Sequence, residues 1–115
     1  MCAINGFNFK DDHLLKKMSS MTSSRGPDNE GFYSSNNFSL SHNRLAIIDP
    51  TPKSNQPYYY KDLILSFNGE IYNFKQLKKK LESKGHNFFT NSDTEVVIRL
   101  FKEYGINSLK MLSGI

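Results

Sequence analysis

Cys2 is the only cysteine in this 115-residue sequence, and it stands directly behind Met1. Methionine is commonly clipped when a small residue follows it, and its removal would leave a thiol and a free α-amine on the same residue. An unperturbed thiol titrates near ~8.5 and an α-amine near ~7.7–8.0, so about one amine in ten is neutral at pH 7 and able to accept the thiol proton. Cys2 can thus be a nucleophile that carries its own base. Position alone favours a plainer reading, a small hydrophobe opening a strand over Cys2–Phe9.

The other reactive side chains are less suggestive. His13, His42 and His86 show no short ligand spacing and the cysteine stands alone, so no metal site is expected. A Cys2–His42 dyad is open in principle, although nothing in the sequence places the two together. The formal charge of +4 invites a nucleic-acid partner, but five of the fifteen basic residues (Lys75, Lys78, Lys79, Lys80 and Lys84) fall in one segment. There Phe74, Leu77 and Leu81 follow helical spacing with the lysines mostly on the remaining arc, which describes a solvated helix face. Basic residues interleaved with aromatics are missing, so no nucleic-acid binding is expected.

The elements that must position these groups can be read from pattern and punctuation. At 115 residues, with 37% hydrophobic residues, nine Phe and six Tyr, the chain suits one domain. No apolar run approaches the ~20 residues needed to span a membrane, Met1–Phe9 is no signal peptide, and a cytoplasmic protein is expected. After the first strand, Asp11 and Asp12 can cap a helix with Leu14, Leu15, Met18 and Met21 on one face. Arg25-Gly26-Pro27-Asp28 reads as a turn, and short β-prone runs follow at Gly31–Ser34, Phe38–His42 and Arg44–Ile48, with Asn36-Asn37 suited to a hairpin. Pro50–Pro57 reads as a loop. Leu63–Phe67 reads as a buried strand, with Asn68-Gly69 as a hairpin turn into Glu70-Ile71-Tyr72. A helix over Phe74–Lys84 stops at Gly85. Ser92-Asp93-Thr94-Glu95 matches a capping box opening a helix with Val96, Val97, Leu100, Phe101 and Tyr104 on one face, which stops at Gly105. This order predicts an α+β fold with an antiparallel sheet covered by helices. The apolar stretch Met111–Ile115 suggests that another element should follow, as in a truncated domain.

Taken together, Cys2, RGPD at 25–28, RLAIID at 44–49, QP at 56–57, FNGEIYN at 67–73 and SDTE at 92–95 resemble the N-terminal glutaminase domain of the glutamine-hydrolysing asparagine synthetase family. Those domains are class II glutamine amidotransferases within the N-terminal-nucleophile hydrolases. The resemblance spans Cys2–Gly114. Each motif is weak alone, but their number and order are specific. It implies an αββα sandwich of mostly antiparallel sheets, here incomplete at the C-terminus, with residues 1–115 forming the first part of the domain and the synthetase domain absent.

For chemistry, the resemblance implies that the Cys2 thiol attacks the side-chain amide of glutamine and forms a γ-glutamyl thioester. The Asn68 side-chain amide and the Gly69 N–H would stabilise the oxyanion. Arg44 would take the substrate α-carboxylate with its guanidinium fork and Asp93 its α-ammonium, while Glu70 would add a contact and Leu45 and Ile47 backbone or wall contacts. Ammonia would feed ATP-dependent synthesis of asparagine from aspartate, with ATP and Mg²⁺ used only in the missing synthetase domain and no cofactor in this one. Glutamine and the synthetase domain are the implied partners, with a homo-oligomer conceivable. Alternatives are a glutaminase serving sugar, nucleotide-precursor or polysaccharide amidation, or an inactive fragment that only binds a partner chain. Two positions depart from the family: Ala3 stands where Gly usually follows the cysteine, and Ser24 where His usually precedes RGPD.

Overall fold

The computed structural model describes all 115 residues, Met1–Ile115. Its first layer is a three-stranded sheet of β1 (Ala3–Phe7), β2 (Asn29–Ser35) and β3 (Phe38–Arg44), in the order β1-β3-β2 with both pairings antiparallel. The β2–β3 hairpin closes at Asn36-Asn37, with Ser35 opposite Phe38, as the tolerance of Asn for turn conformations predicts. Helix α1 (Asp12–Thr22) packs against β1 and β3. Its start is set by Asp11, whose carboxylate accepts the Leu14 N–H at 2.8 Å.

Beside the buried Leu15, the layer under α1 is polar. Ser39, Ser41 and Asn43 alternate along β3 and are buried with Asn5 and Ser19. Asn5 Nδ2 donates to Thr22 Oγ1 at 2.9 Å and to Ser41 Oγ at 3.2 Å. Thr22 Oγ1 donates to Asn43 Oδ1 at 2.7 Å, and Asn43 Nδ2 donates to Ser19 Oγ at 3.0 Å. Burying these groups is tolerable because they satisfy one another; an unpaired one would cost about 1–3 kcal/mol.

The apolar core lies elsewhere. Ile71, Leu77, Leu81, Val96 and Leu100 form one buried cluster between α2 (Phe74–Glu82) and α3 (Asp93–Tyr104). A two-stranded antiparallel sheet, β4 (Tyr58–Tyr60) with β5 (Leu63–Leu65), packs on α3. Gly85 (φ 91°) and Gly105 (φ 60°) stop the two helices in the left-handed region where side chains are strained. Lys75, Lys79, Lys80 and Lys84 are exposed, so the basic run is a solvated face as expected. No helix is long and apolar enough to cross a membrane.

The α+β class with antiparallel sheets agrees with the sequence reading, but the strand expected over Leu63–Phe67 stops at Leu65 and is only half-buried, Met21 and Phe101 are exposed on helices whose apolar faces they were expected to share, and three further local expectations fail. Leu45–Ile48 is not a strand. Its backbone is taken by side chains instead of a ladder: Leu45 N by Cys2, Ala46 N by Asp28 and Ile48 O by Arg44. Asn68-Gly69 is not a hairpin turn, since β5 already pairs with β4 and Ile71 bridges Gly114. The capping box is half formed. Ser92 Oγ accepts the Thr94 N–H at 3.1 Å, but the Glu95 carboxylate turns to Phe89, Thr90 and Arg99.

Candidate functional site

A cleft of about 140 Å³ opens between the β1–β3 edge and the start of α3. Four segments line it: Cys2 ahead of β1, Arg44, Leu45 and Ile47 leaving β3, Asn68, Gly69 and Glu70 beyond β5, and Asp93 opening α3. All eight site residues expected from the sequence therefore border one space. Gln56, Phe67, Ser92 and Thr94 also line it, and sequence reasoning assigned them no role there.

The half-buried Cys2 Sγ accepts the Leu45 N–H at 3.3 Å, and Arg25 Nε donates to the Cys2 carbonyl at 3.3 Å. Asp28 Oδ2 accepts the Ala46 N–H at 2.8 Å. Between them, Gly26 lies against β3 so closely that a Cβ there would sit 2.1 Å from the Asn43 carbonyl oxygen. The RGPD turn thus holds the Cys2 backbone with its first residue and the facing Ala46 backbone with its last. Its motif was visible in the sequence, but these contacts were not. Ala3 occupies ordinary extended backbone in β1, so a glycine is not required there. While Met1 is attached, the Cys2 nitrogen is a peptide amide and cannot act as a base; Met1 itself lines the cleft.

Asn68 is exposed, and neither its side-chain amide nor the Gly69 N–H has an acceptor within the chain. Both are free donors at the cleft wall. Gly69 is wedged: an added Cβ would lie 2.4 Å from Ile115 O and 2.9 Å from the Phe67 ring. The segment is tied by Glu70 N donating to Ile115 O at 2.9 Å and Ile115 N donating to Glu70 O at 3.0 Å. Opposite, the buried Asp93 accepts the Ile71 N–H on Oδ2 at 3.0 Å, while its other oxygen has no partner in the chain.

Arg44 behaves differently from a free carboxylate clamp. Its Nη1 donates to Thr51 O and Asn55 Oδ1, both at 2.9 Å, and its Nη2 donates to Ile48 O at 3.3 Å and to Asp49 O. The four terminal N–H groups are thus committed to the loop after β3, leaving Nε–H as the uncommitted donor. The fork expected for a substrate carboxylate is, in this conformation, holding the loop that forms the cleft wall.

His42 is fully buried on β3 and its Nε2 lies 3.1 Å from Phe67 O, which fixes that nitrogen as the proton carrier. Burial pushes its pKa below the ordinary value, opposed by the hydrogen bond to Phe67 and reinforced by the Arg44 charge. Its Nδ1 has no partner. Since Nε2 is engaged by Phe67 and Cys2 Sγ by Leu45, the Cys2–His42 dyad does not form.

The chain matches the description "Glutamine amidotransferase domain" over residues 1–115. It is 45% identical over 93 residues to asparagine synthetase [glutamine-hydrolyzing] 1 of Arabidopsis thaliana, a match covering 79% of the chain and 15% of that protein. With asparagine synthetase [glutamine-hydrolyzing] 1 of Bacillus subtilis the identity is 38% over 105 residues, covering 90% and 16%. With asparagine synthetase [glutamine-hydrolyzing] of Zea mays it is 48% over 92 residues, covering 78% and 15%.

Proposed function

The chain belongs to the glutamine amidotransferase domain family, and on that premise we propose that it hydrolyses free glutamine to glutamate and ammonia at Cys2. It spans about 15% of the length of the Arabidopsis relative it matches. The relatives' names, asparagine synthetase [glutamine-hydrolyzing], support asparagine as the product; its formation from aspartate with ATP and Mg²⁺ in a separate synthetase domain is part of the same proposal. The sandwich architecture of N-terminal-nucleophile hydrolases is part of the same reading.

The observation that carries it is the convergence in one cleft of a thiol, two unused hydrogen-bond donors and a carboxylate with a free oxygen. After Met1 is removed, the Cys2 α-amine takes the thiol proton and sulfur bonds to the glutamine side-chain carbon. The carbonyl oxygen, becoming negative, is met by the Asn68 amide and the Gly69 N–H. The amine returns its proton to the departing nitrogen, the C–N bond breaks, and ammonia leaves. Water then hydrolyses the thioester, giving the γ-carboxylate and restoring the thiol. Asp93 receives the substrate ammonium, and Arg44 offers Nε–H to the substrate carboxylate, its terminal groups being able to exchange loop partners for the second bond. Glu70, Leu45 and Ile47 complete the walls.

The test is to react the Met1-free protein with a glutamine-mimicking electrophile and locate the adduct by mass. An adduct on Cys2 that excess glutamine suppresses is expected; labelling that ignores glutamine, or occurs equally with Met1 retained, refutes the mechanism.

A further inference from the structure

Gln56 makes contacts that no step above uses. The residue is 6% exposed and lines the cleft. The amide oxygen accepts the Phe67 N–H at 2.6 Å, and the amide nitrogen donates to Thr94 Oγ1 at 3.3 Å. The Phe67 N–H can only donate, so the orientation of the amide is dictated by its partner. Behind it, the Gln56 carbonyl is pressed against β2, where a Cβ on Gly31 would lie 2.0 Å from it. One residue therefore touches the outer strand of the first sheet, the segment that presents Asn68 and Gly69, and the first turn of α3 next to Asp93.

We propose that Gln56 is a positioning residue that locks the Phe67–Gly69 segment and the Asp93–Thr94 turn into one register. The proposal rests on the glutaminase reading and assigns the register of its two subsites to one side chain. The two ends of the amide act on different groups. The oxygen places the oxyanion donors, which matter in the transition state, and the nitrogen places the ammonium acceptor, which matters for ground-state binding. A donor displaced by about 1 Å costs on the order of 100-fold in rate.

Two near-isosteric variants separate the ends in the full chain freed of Met1. In Gln56→Leu, which removes both bonds, kcat should fall at least about tenfold and KM for glutamine should rise, while alkylation of Cys2 by iodoacetamide stays within about twofold. In Thr94→Val, which removes only the second bond, KM should rise with kcat within about twofold. Amide hydrogen exchange should quicken at residues 66–70 and 92–95 in the first variant and only at 92–95 in the second. Unchanged exchange at both segments overturns the proposal, as does a uniform gain in exchange with parallel loss of kcat and alkylation. Should Gln56→Leu not fold, a Thr94→Val variant whose kcat falls with KM unchanged overturns it, and the expected split supports it. A parent chain without glutamine turnover sinks the glutaminase reading, while the exchange pattern still decides the lock.

Discussion

Replacing Glu95 with Ala should destabilise the protein without touching Cys2. Glu95 is fully buried at the first turn of α3. Its carboxylate accepts from Phe89 N at 3.1 and 3.2 Å, Thr90 N at 2.7 Å, Thr90 Oγ1 at 2.7 Å and Arg99 Nε at 2.8 Å. Arg99 is itself buried, with its guanidinium 4.3 Å from the Tyr60 ring centroid and 4.9 Å from that of Phe88. Removing the acid leaves that charge unpaired, which typically costs about 3–5 kcal/mol. Total domain stability is only about 5–15 kcal/mol, so the loss is a large part of it. At roughly 4 °C per kcal/mol the midpoint should fall by about 12–20 °C in a thermal melt.

The double variant Glu95→Ala/Arg99→Met removes the orphaned charge and should recover part of this. It should not recover all, because the N–H groups of Phe89 and Thr90 remain without their acceptor, at about 1–3 kcal/mol for each one left buried. Iodoacetamide labelling of Cys2 in the folded single variant should match the parent, because Glu95 does not line the cleft. A melt within about 3 °C of the parent would refute the buried-pair argument. Full recovery by the double variant would refute the role given to the Phe89–Thr90 amides.

Three further outcomes are expected. In a Met1-free protein, Asn68→Ala should lower glutamine turnover by about 10²–10³-fold with KM little changed; steady-state kinetics decide it, and a loss under about tenfold argues against a principal donor. Arg44→Lys cannot reproduce four divergent hydrogen bonds, so it should loosen residues 48–55 in hydrogen exchange and raise KM, and an unaltered loop with unaltered KM would contradict both of its assignments. His42 and Glu95 both have pKa values held below their ordinary ones, so their contributions to stability are present above the unfolded values, 6.5 and 4.5. Each contribution is lost as pH falls through the lowered value. Denaturation midpoints should therefore decline below about pH 6.5 and decline further below pH 4.5, and a flat profile in His42→Gln from pH 7 to 5.5 would confirm the first step.

Much of the architecture was readable because short-range physics sets it. Asp11 and Ser92 cap helices, Asn36-Asn37 turns a hairpin, and Gly85 and Gly105 end helices, each through groups within a few residues of one another. The misreadings share a cause. Arg44–Ile48 and Asn68-Gly69 have the local chemistry of a strand and of a hairpin turn, but the groups that hold them lie far along the chain: Cys2 and Asp28 take the Leu45 and Ala46 N–H groups, and Ser113–Ile115 pairs with the Glu70–Tyr72 backbone that follows Gly69. Local propensity has no knowledge of such partners, and a competing hydrogen bond of equal strength is enough to override it.

The same division holds for the site. By itself the sequence determined which chemical groups are present and in what order: a thiol next to the terminus, an arginine opening the RLAIID run, an Asn-Gly pair and an acid at the start of a helix. Tertiary structure alone decided that these four segments border one cleft, because their meeting depends on β1 pairing with β3 and on α3 packing beside β5. It also decided what each side chain has left to offer. Asn68 and Gly69 keep unused donors and Asp93 an unused oxygen, whereas the Arg44 fork, which the motif suggested was waiting for a carboxylate, is holding its own loop. A residue's type states its hydrogen-bonding capacity; the three-dimensional neighbourhood consumes part of that capacity, and function draws on the remainder.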